Sequence, residues 1–481
     1  MVDAQQISHA LAGTIGEAFI KTDPDVLAQY AVDHIEPQAV IFPKNTQAVS
    51  EIVKYANQKN LALVSWGAGT KMSMGNPPQR LDLVVCTSRM NHMTDVDTAN
   101  LTLTVEAGVK FRDIQARLAT EEDRCYLPLE DLTTAAGEFI CSDREHKGSF
   151  LPIDPPFSDR ATIGGIIAGN SSGPRRLLYT NPRDIIIGVR FVSPKGNIVG
   201  MGGKTVKNVS GYDISKLMVG SIGTLGILCD MTFRLLPLPE KMETLLLSFD
   251  TFTGATRFTD RIFDTQLLPA AVEVMNHHAF LYLEPNVLPD CKTGAYVVAI
   301  ALEAYDEAVA RMNKEMQAMA SECGARDKRT LKEDKHGRFW LKVSNLALAV
   351  ADRFACVITV KLSYPISEWK GIFESVESTL SADNIEHTLL AHAGTGVCQI
   401  NLLLNHGDVV RVDQAIEDLD RLLSRCREVD GNLVIQSAPV DLKPRLRMWG
   451  QEGSDLVVIK RVKAHLDPSG IMSPGRFVGG V

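Results

Sequence analysis

Three glycine-dense turns, each set in apolar, β-branched surroundings, constrain this chain more than any other feature. The first is LALVSWGAGTKMSMG, Leu61 to Gly75, a short apolar strand that runs into Gly67, Gly69 and Gly75. The second is ATIGGIIAGNSSG, Ala161 to Gly173, and the third lies in KTVKNVSGYDISKLMVGSIGTLGIL, Lys204 to Leu228. A backbone needs glycine at this density where it touches a large planar or phosphorylated ligand, because a Cβ would stand in the way. Closely spaced N–H groups also form a nest for an anion, and Thr70 and Lys71 add a hydroxyl and a charge to the first loop. That loop alone reads equally well as an ordinary β-turn. The recurrence of the arrangement carries the inference.

The first loop is not the usual dinucleotide fingerprint. Gly67-Ala68-Gly69-Thr70-Lys71-Met72 lacks the third glycine, and no acidic residue follows at the expected distance on a second strand. A Rossmann fold binding NAD is disfavoured.

A chain of 481 residues has room for two or three domains at roughly 100–200 residues each. A net charge of −8 and the absence of any run of basic residues leave no electrostatic reason to bind nucleic acid. The amino terminus lacks a basic region followed by an apolar core, so no secretory signal is read there. Apolar runs such as Ala295 to Leu302 and Leu346 to Val350 fall far short of the ~20 residues that span a bilayer. A cytoplasmic protein without direct membrane insertion is expected. The nine cysteines (Cys86, Cys125, Cys141, Cys229, Cys291, Cys323, Cys356, Cys398 and Cys426) are scattered singly, with no CxxC pair. This argues against an iron–sulfur cluster or structural zinc within the chain.

Hydrophobic periodicity predicts a helix and then a strand over 43–65, strands at Leu81 to Cys86 and Leu101 to Ala107, and an amphipathic segment from Val109 to Leu118. Pro237-Leu238-Pro239 marks a boundary. Beyond it, strands and helices alternate in two rounds up to a long helix over Val409 to Cys426, the pattern of helices on antiparallel strands in a ferredoxin-like cap. The fold class is α+β. The expected divisions are 1–239, 240–435 and a C-terminal segment, 436–481. The polar stretch 129–150 has no periodicity and reads as a surface loop or as a lid that contacts a partner.

In order and spacing, the three glycine segments resemble the FAD-binding domain of the vanillyl-alcohol oxidase and p-cresol methylhydroxylase (PCMH) type. Within that superfamily the chain is most similar to bacterial D-2-hydroxyacid dehydrogenases, and more narrowly to the FAD-binding subunit of glycolate oxidase. Lys207-Asn208-Val209-Ser210-Gly211-Tyr212-Asp213 and the tail KAHLDPSGIMSPGRFVGG, Lys463 to Gly480, carry the narrower likeness. The resemblance implies a two-subdomain PCMH-type FAD-binding domain, followed by the cap and by a tail that returns to the flavin domain. Relative to that family, 129–150 looks like an insertion. The residues implied to bind FAD are Trp66, Gly67, Ala68, Gly69, Thr70 and Lys71 in the pyrophosphate loop; Asp154, Pro155, Ala161, Thr162, Gly164, Gly165, Ser172 and Gly173 around the ring; and Gly223, Thr224, Gly226, Ile227 and Arg476. With Gly165 and Gly226 against the ring, valine at either position is expected to abolish FAD binding. Noncovalent FAD is expected, because Trp66 to Gly75 contains no His, Cys or Tyr.

Oxidation of a 2-hydroxy acid needs a base for the hydroxyl and a cation for the carboxylate. Catalytic members of the resembling family carry a metal and base motif of the type HxGDGNxH. Here the matching segment is His392-Ala393-Gly394-Thr395-Gly396-Val397-Cys398-Gln399, with Thr395 and Gln399 in place of the acid and the second His. No metal site is expected. His392, Arg338 and Lys361 are the candidate catalytic groups, although His392 also reads as a hydrogen-bonded structural histidine and the two cations as solvated or paired side chains. His277-His278 reads as a surface loop. The implied function is a glycolate or D-lactate type dehydrogenase subunit that takes a small 2-hydroxy acid and passes electrons to an iron–sulfur or flavoprotein partner, through which it is membrane-associated. The alternatives are a noncatalytic FAD-binding subunit and a self-sufficient oxidase of another alcohol.

Overall fold

The computed structural model describes residues 3–119, 124–127, 148–204, 213–284, 286–405 and 407–481. The Lys207–Tyr212 motif and residues 129–147 of the polar stretch lie outside these described residues. The chain forms two compact units. The first comprises Met1–Ser172, Asn181–Leu238 and Glu452–Val481; the second comprises Gly173–Thr180 and Pro239–Gln451.

In the first unit, β1 (Ile20–Lys21), β2 (Ala39–Ile41), β3 (Leu63–Trp66) and β4 (Leu83–Cys86) form a sheet in the order β1-β2-β4-β3. β2 and β3 both pair with β4 in parallel, so a crossover helix must join them. The helix Thr46–Lys59 does so. The Asn45 side chain caps it by accepting the Ala48 N–H at 2.9 Å, and Asn60 ends it in the left-handed region with φ of 53°. Val49, Ile52, Val53 and Ala56 recur at helical spacing and pack with Ile41, Leu63, Leu83 and Val85.

The second sheet of this unit is antiparallel: β5 (Met93–Asp97), β6 (Thr102–Glu106), β8 (Ile186–Val192), β9 (Ile198–Gly202) and β10 (Ile227–Arg234), in the order β5-β6-β10-β8-β9. β7 (Ser149–Phe150) pairs with β11 (Leu236–Pro237). Leu103, Val105, Met231 and Phe233 share a core with Phe111 and Ile114 of the helix Phe111–Arg117 and with Ile163, Ile166 and Ile167 of the helix Ile163–Ala168. The tail runs along the free edge of β3: Leu63 N–H donates to Ile471 O and Ser473 N–H to Leu63 O, each at 2.8 Å. An exposed sheet edge is thereby covered.

The second unit is built on one antiparallel sheet. Its strands are β12 (Lys241–Phe249), β13 (Ala271–Met275), β14 (Tyr296–Ala304), β15 (Lys328–Lys332), β16 (Cys356–Ser363), β17 (His387–His392), β18 (Val397–Leu404) and β19 (Asn432–Ser437), in the order β15-β12-β14-β13-β17-β18-β16-β19. Each half is a βαββαβ ferredoxin-like unit. The halves meet where β13 pairs with β17, Glu273 lying opposite His392. The helices Phe252–Phe263, Asp306–Glu322, Trp369–Ala382 and Val409–Glu428 cover one face, and their apolar stripes make its core. The helices Arg176–Tyr179, His277–Leu283, Asp334–Ser344 and Leu346–Ala351 contact strands of the same sheet.

Several elements differ from expectation. His277-His278 opens a helix, capped by the Asn276 side chain on Ala279 N–H at 3.0 Å. The boundary expected at 435/436 falls after Gln451: Ile435 N–H donates to Met448 O at 2.9 Å, and Leu442 and Met448 are buried in the second unit's core. Gly173, expected at the flavin, begins a segment of the second unit.

Candidate functional site

In the first unit a cleft opens between the loop that follows β3, the start of the helix Ile163–Ala168, the start of β10, and Arg476 from the tail. Of the residues expected to bind FAD, Trp66, Gly67, Ala68, Gly69, Thr70, Lys71, Thr162, Gly164, Gly165, Gly226, Ile227 and Arg476 line this cleft. Asp154, Pro155, Ala161, Gly223 and Thr224 are buried outside its lining, as is the half-buried Ser172. Ser65, Met72, Thr87, Ala107, Ala168, Gly169, Ile222 and Leu228 also line it but were not read from the sequence. Ala107 had a signal of a kind, a small residue directly after a strand; the Gly164 N–H donates to its carbonyl at 2.9 Å.

The glycines divide into two roles. A Cβ on Gly67 would stand 2.0 Å from Thr162 Oγ1, so the first two glycine loops touch there. Gly226, at φ of +152°, would drive a Cβ to 2.6 Å from Val192 O. Its smallness therefore serves the pairing of β10 with β8 as well as the cleft that it lines. A Cβ on Gly165 meets only Thr162 Oγ1, at 3.4 Å.

The tail holds the loops in place. The Arg476 guanidinium donates to Met72 O at 2.8 Å and Met74 O at 2.9 Å, and burial pulls its pKa down to about 10. Lys463 Nζ reaches Thr224 O at 2.8 Å, Met472 O at 2.8 Å and Asp467 Oδ2 at 2.7 Å. Burial lowers the Lys463 pKa, and Asp467 opposes that shift.

FAD fits this cleft. The consecutive residues Trp66 to Met72 line it, Lys71 and Arg476 bring positive charge for a pyrophosphate, and Ile227 and Leu228 supply apolar wall. Thr162 Oγ1 is buried without a hydrogen-bond partner among the described residues, an arrangement natural proteins rarely leave unless a ligand or water supplies the partner.

In the second unit Glu273, His392 and Lys361 alternate with residues of the apolar core, which places them on the sheet's opposite face. His392 is buried. Its Nδ1 lies 2.6 Å from Glu273 Oε1, and its Nε2 has no partner among the described residues. Thr395 turns back to donate to His392 O at 3.1 Å. Lys361 makes no hydrogen bond or ion pair among the described residues; burial first, then the like charge of Arg176, pushes its pKa down to about 8. Arg338 is exposed on the helix Asp334–Ser344. No group of three or more His, Cys, Asp or Glu with metal-binding geometry occurs among the described residues, and no helix among them is long and apolar enough to cross a membrane.

Residues 37–133 and 144–202 match the model of the FAD binding domain, and 238–477 match that of the C-terminal domain of FAD linked oxidases. The chain is 29% identical to the Bacillus subtilis glycolate oxidase subunit GlcD, over 92% of this chain and 89% of that protein. It is 27% identical to the D-lactate dehydrogenase of Archaeoglobus fulgidus, over 96% and 95%. The solved structure of p-cresol methylhydroxylase with substrate bound superposes with a TM-score of 0.71 at 15% identity, covering 98% of this chain and 96% of that one. The chain is therefore an FAD-dependent oxidoreductase and belongs to the FAD-linked oxidases, with a PCMH-type FAD-binding domain and a ferredoxin-like C-terminal domain.

Proposed function

We propose that the protein oxidises a small 2-hydroxy acid of the glycolate or D-lactate kind to its 2-oxo acid, as one subunit of a complex that passes the electrons to an iron–sulfur or other electron-transfer partner. The observation that carries the reading is the His392–Glu273 pair. With Nδ1 donating to Glu273 Oε1 across 2.6 Å, the lone pair is left on buried Nε2. That nitrogen takes the C2 hydroxyl proton, and Glu273 stabilises the imidazolium that results. FAD, when bound, supplies the two-electron acceptor for the hydride from C2. It is held without a covalent bond, since none of the described residues lining the cleft is His, Cys or Tyr.

The names of the relatives support the substrate class and the subunit role. Thr395 and Gln399, which replace the family's metal-motif residues, favour the second reading of a noncatalytic FAD subunit; the buried Nε2, without a partner among the described residues, favours the first. Anaerobic mixing of the yellow protein with glycolate and with D-lactate separates them. Bleaching of the flavin absorbance within the mixing experiment supports oxidation, and a spectrum unchanged by either acid overturns it.

A further inference from the structure

We propose that the outward face of the C-terminal helix Leu456–Leu466 docks an acidic one-electron carrier protein beside the flavin cleft; this rests on the electron-transfer partner put forward above. At about 100° per residue the helix divides into two faces. Leu456, Ile459, Val462, Lys463 and Leu466 fall on one side, where Val462 and Leu466 pack on the core that includes Val105 and Phe233, and Lys463 is buried. Val457, Val458, Lys460, Arg461, Ala464 and His465 fall on the other, and all six are exposed.

Three observations point to that partner. The inner face touches the cofactor loop: Lys463 Nζ donates to Thr224 O at 2.8 Å, and Ile222, Gly226 and Ile227 of the same loop line the cleft. One helix diameter, about 10–12 Å, therefore separates the outer face from that loop. The charge on the outer face is of one sign. No acidic residue occurs between Leu456 and Leu466, and Lys460, Arg461 and His465 make no hydrogen bond or ion pair among the described residues. On a chain of net charge −8, a basic face selects an acidic partner and steers it to this spot. The adjacent Val457 and Val458 are 55% and 60% exposed, an apolar centre with a charged surround, as protein interfaces have. A lipid surface suits the helix less well. Helices that lie in the headgroup layer turn their large apolar residues outward, whereas Ile459, Val462 and Leu466 turn inward here, and anionic lipid repels the acidic remainder of the chain.

The probe is a plant-type [2Fe–2S] ferredoxin, an acidic and strongly reducing carrier, mixed with the FAD-loaded protein. Calorimetry at low salt is expected to show binding that weakens at least roughly tenfold in K460E/R461E and roughly threefold in V457S, with FAD content and melting temperature unchanged. The same charge change on exposed lysines of the second unit, K314E/K335E, is expected to leave the affinity within about threefold of wild type. In stopped flow, two reduced ferredoxins give one electron each to one FAD, with two protons from water, and the bleaching slows in parallel with the affinity. Equal affinities in the two charge-reversed variants, or no ferredoxin binding to wild type, overturns the docking face. So does flotation of wild type with phosphatidylglycerol vesicles, or self-association, in place of ferredoxin binding. A wild type that no hydroxy acid bleaches but that ferredoxin reduces through this face removes the proposed substrate reaction and supports the docking face.

Discussion

Lys463 Nζ donates to the carbonyl oxygen of Thr224 at 2.8 Å, so the C-terminal helix carries the hydrogen-bond donor that holds the third glycine loop. The same ammonium is matched by Asp467, whose carboxylate accepts the N–H groups of Ile471 at 3.1 Å and Met472 at 2.9 Å.

Substituting Lys463→Met leaves the Asp467 carboxylate buried without its cation, an error of roughly 3–5 kcal/mol for a broken buried pair. The variant is expected to unfold at markedly lower temperature and to bind FAD at least tenfold more weakly. The double variant K463M/D467L recovers part of the stability. Thermal scans with and without added FAD measure both effects.

Glu303 sets an acid limit for the second unit. Burial alone raises its pKa, but the Arg175 charge and the bonds from His336 and Tyr179 outweigh it and hold the carboxyl at about 2, against 4.5 when free. A depressed carboxyl contributes in full above the unfolded value and loses its contribution as the proton binds. This stability, on the order of 3 kcal/mol, therefore vanishes as pH falls from about 4.5 to about 2. Hydrogen exchange in the β14 segment is expected to rise steeply over that window in wild type, and E303Q, already loosened at neutral pH, to show a much flatter response.

His392→Gln removes the base and keeps the flavin cleft. Flavin reduction by the hydroxy acid is expected to slow by about 10²–10⁴-fold, with the yellow colour and FAD affinity unchanged. Stopped-flow absorbance checks the rate and fluorescence titration the affinity.

Gly226→Ala and Gly165→Ala separate the two roles of glycine. In Gly226→Ala the new Cβ lies 2.6 Å from Val192 O at a φ of +152°, and the apoprotein is expected to lose roughly 1–3 kcal/mol. In Gly165→Ala the new Cβ meets only Thr162 Oγ1 at 3.4 Å, so the apoprotein keeps its stability while FAD binding weakens. Urea unfolding of the two apoproteins, followed by FAD titration, distinguishes them.

The strands and helices with strong periodicity were legible in the sequence: the crossover helix carrying Val49, Ile52, Val53 and Ala56, and the long helix after Val409. The helices Asp334–Ser344 and Leu346–Ala351 and the edge strand β15 were not. Lys328 to Lys332 is mostly basic on an edge strand, and the helix Asp334–Ser344 hides its burial in His336, Phe339 and Trp340 within a charged stretch. At the cleft, glycine density located the loops but not the purpose of each glycine. Gly226 and Val192 are 34 positions apart in sequence and meet only through sheet pairing. Lys463 was quoted as part of a tail likeness, yet nothing in the sequence announced Thr224 as its acceptor. His392 and Glu273 were brought together by the pairing of β17 with β13, a contact between halves that no local pattern encodes.

The most direct measurement is anaerobic titration of the FAD-loaded protein with a 2-hydroxy acid, read as loss of flavin absorbance in wild type and in H392Q. Oxidation through His392 requires full bleaching of wild type with one equivalent of 2-oxo acid formed per flavin, and a far slower reaction in H392Q. Equal rates in the two proteins, or a polypeptide that takes up no FAD, contradict it.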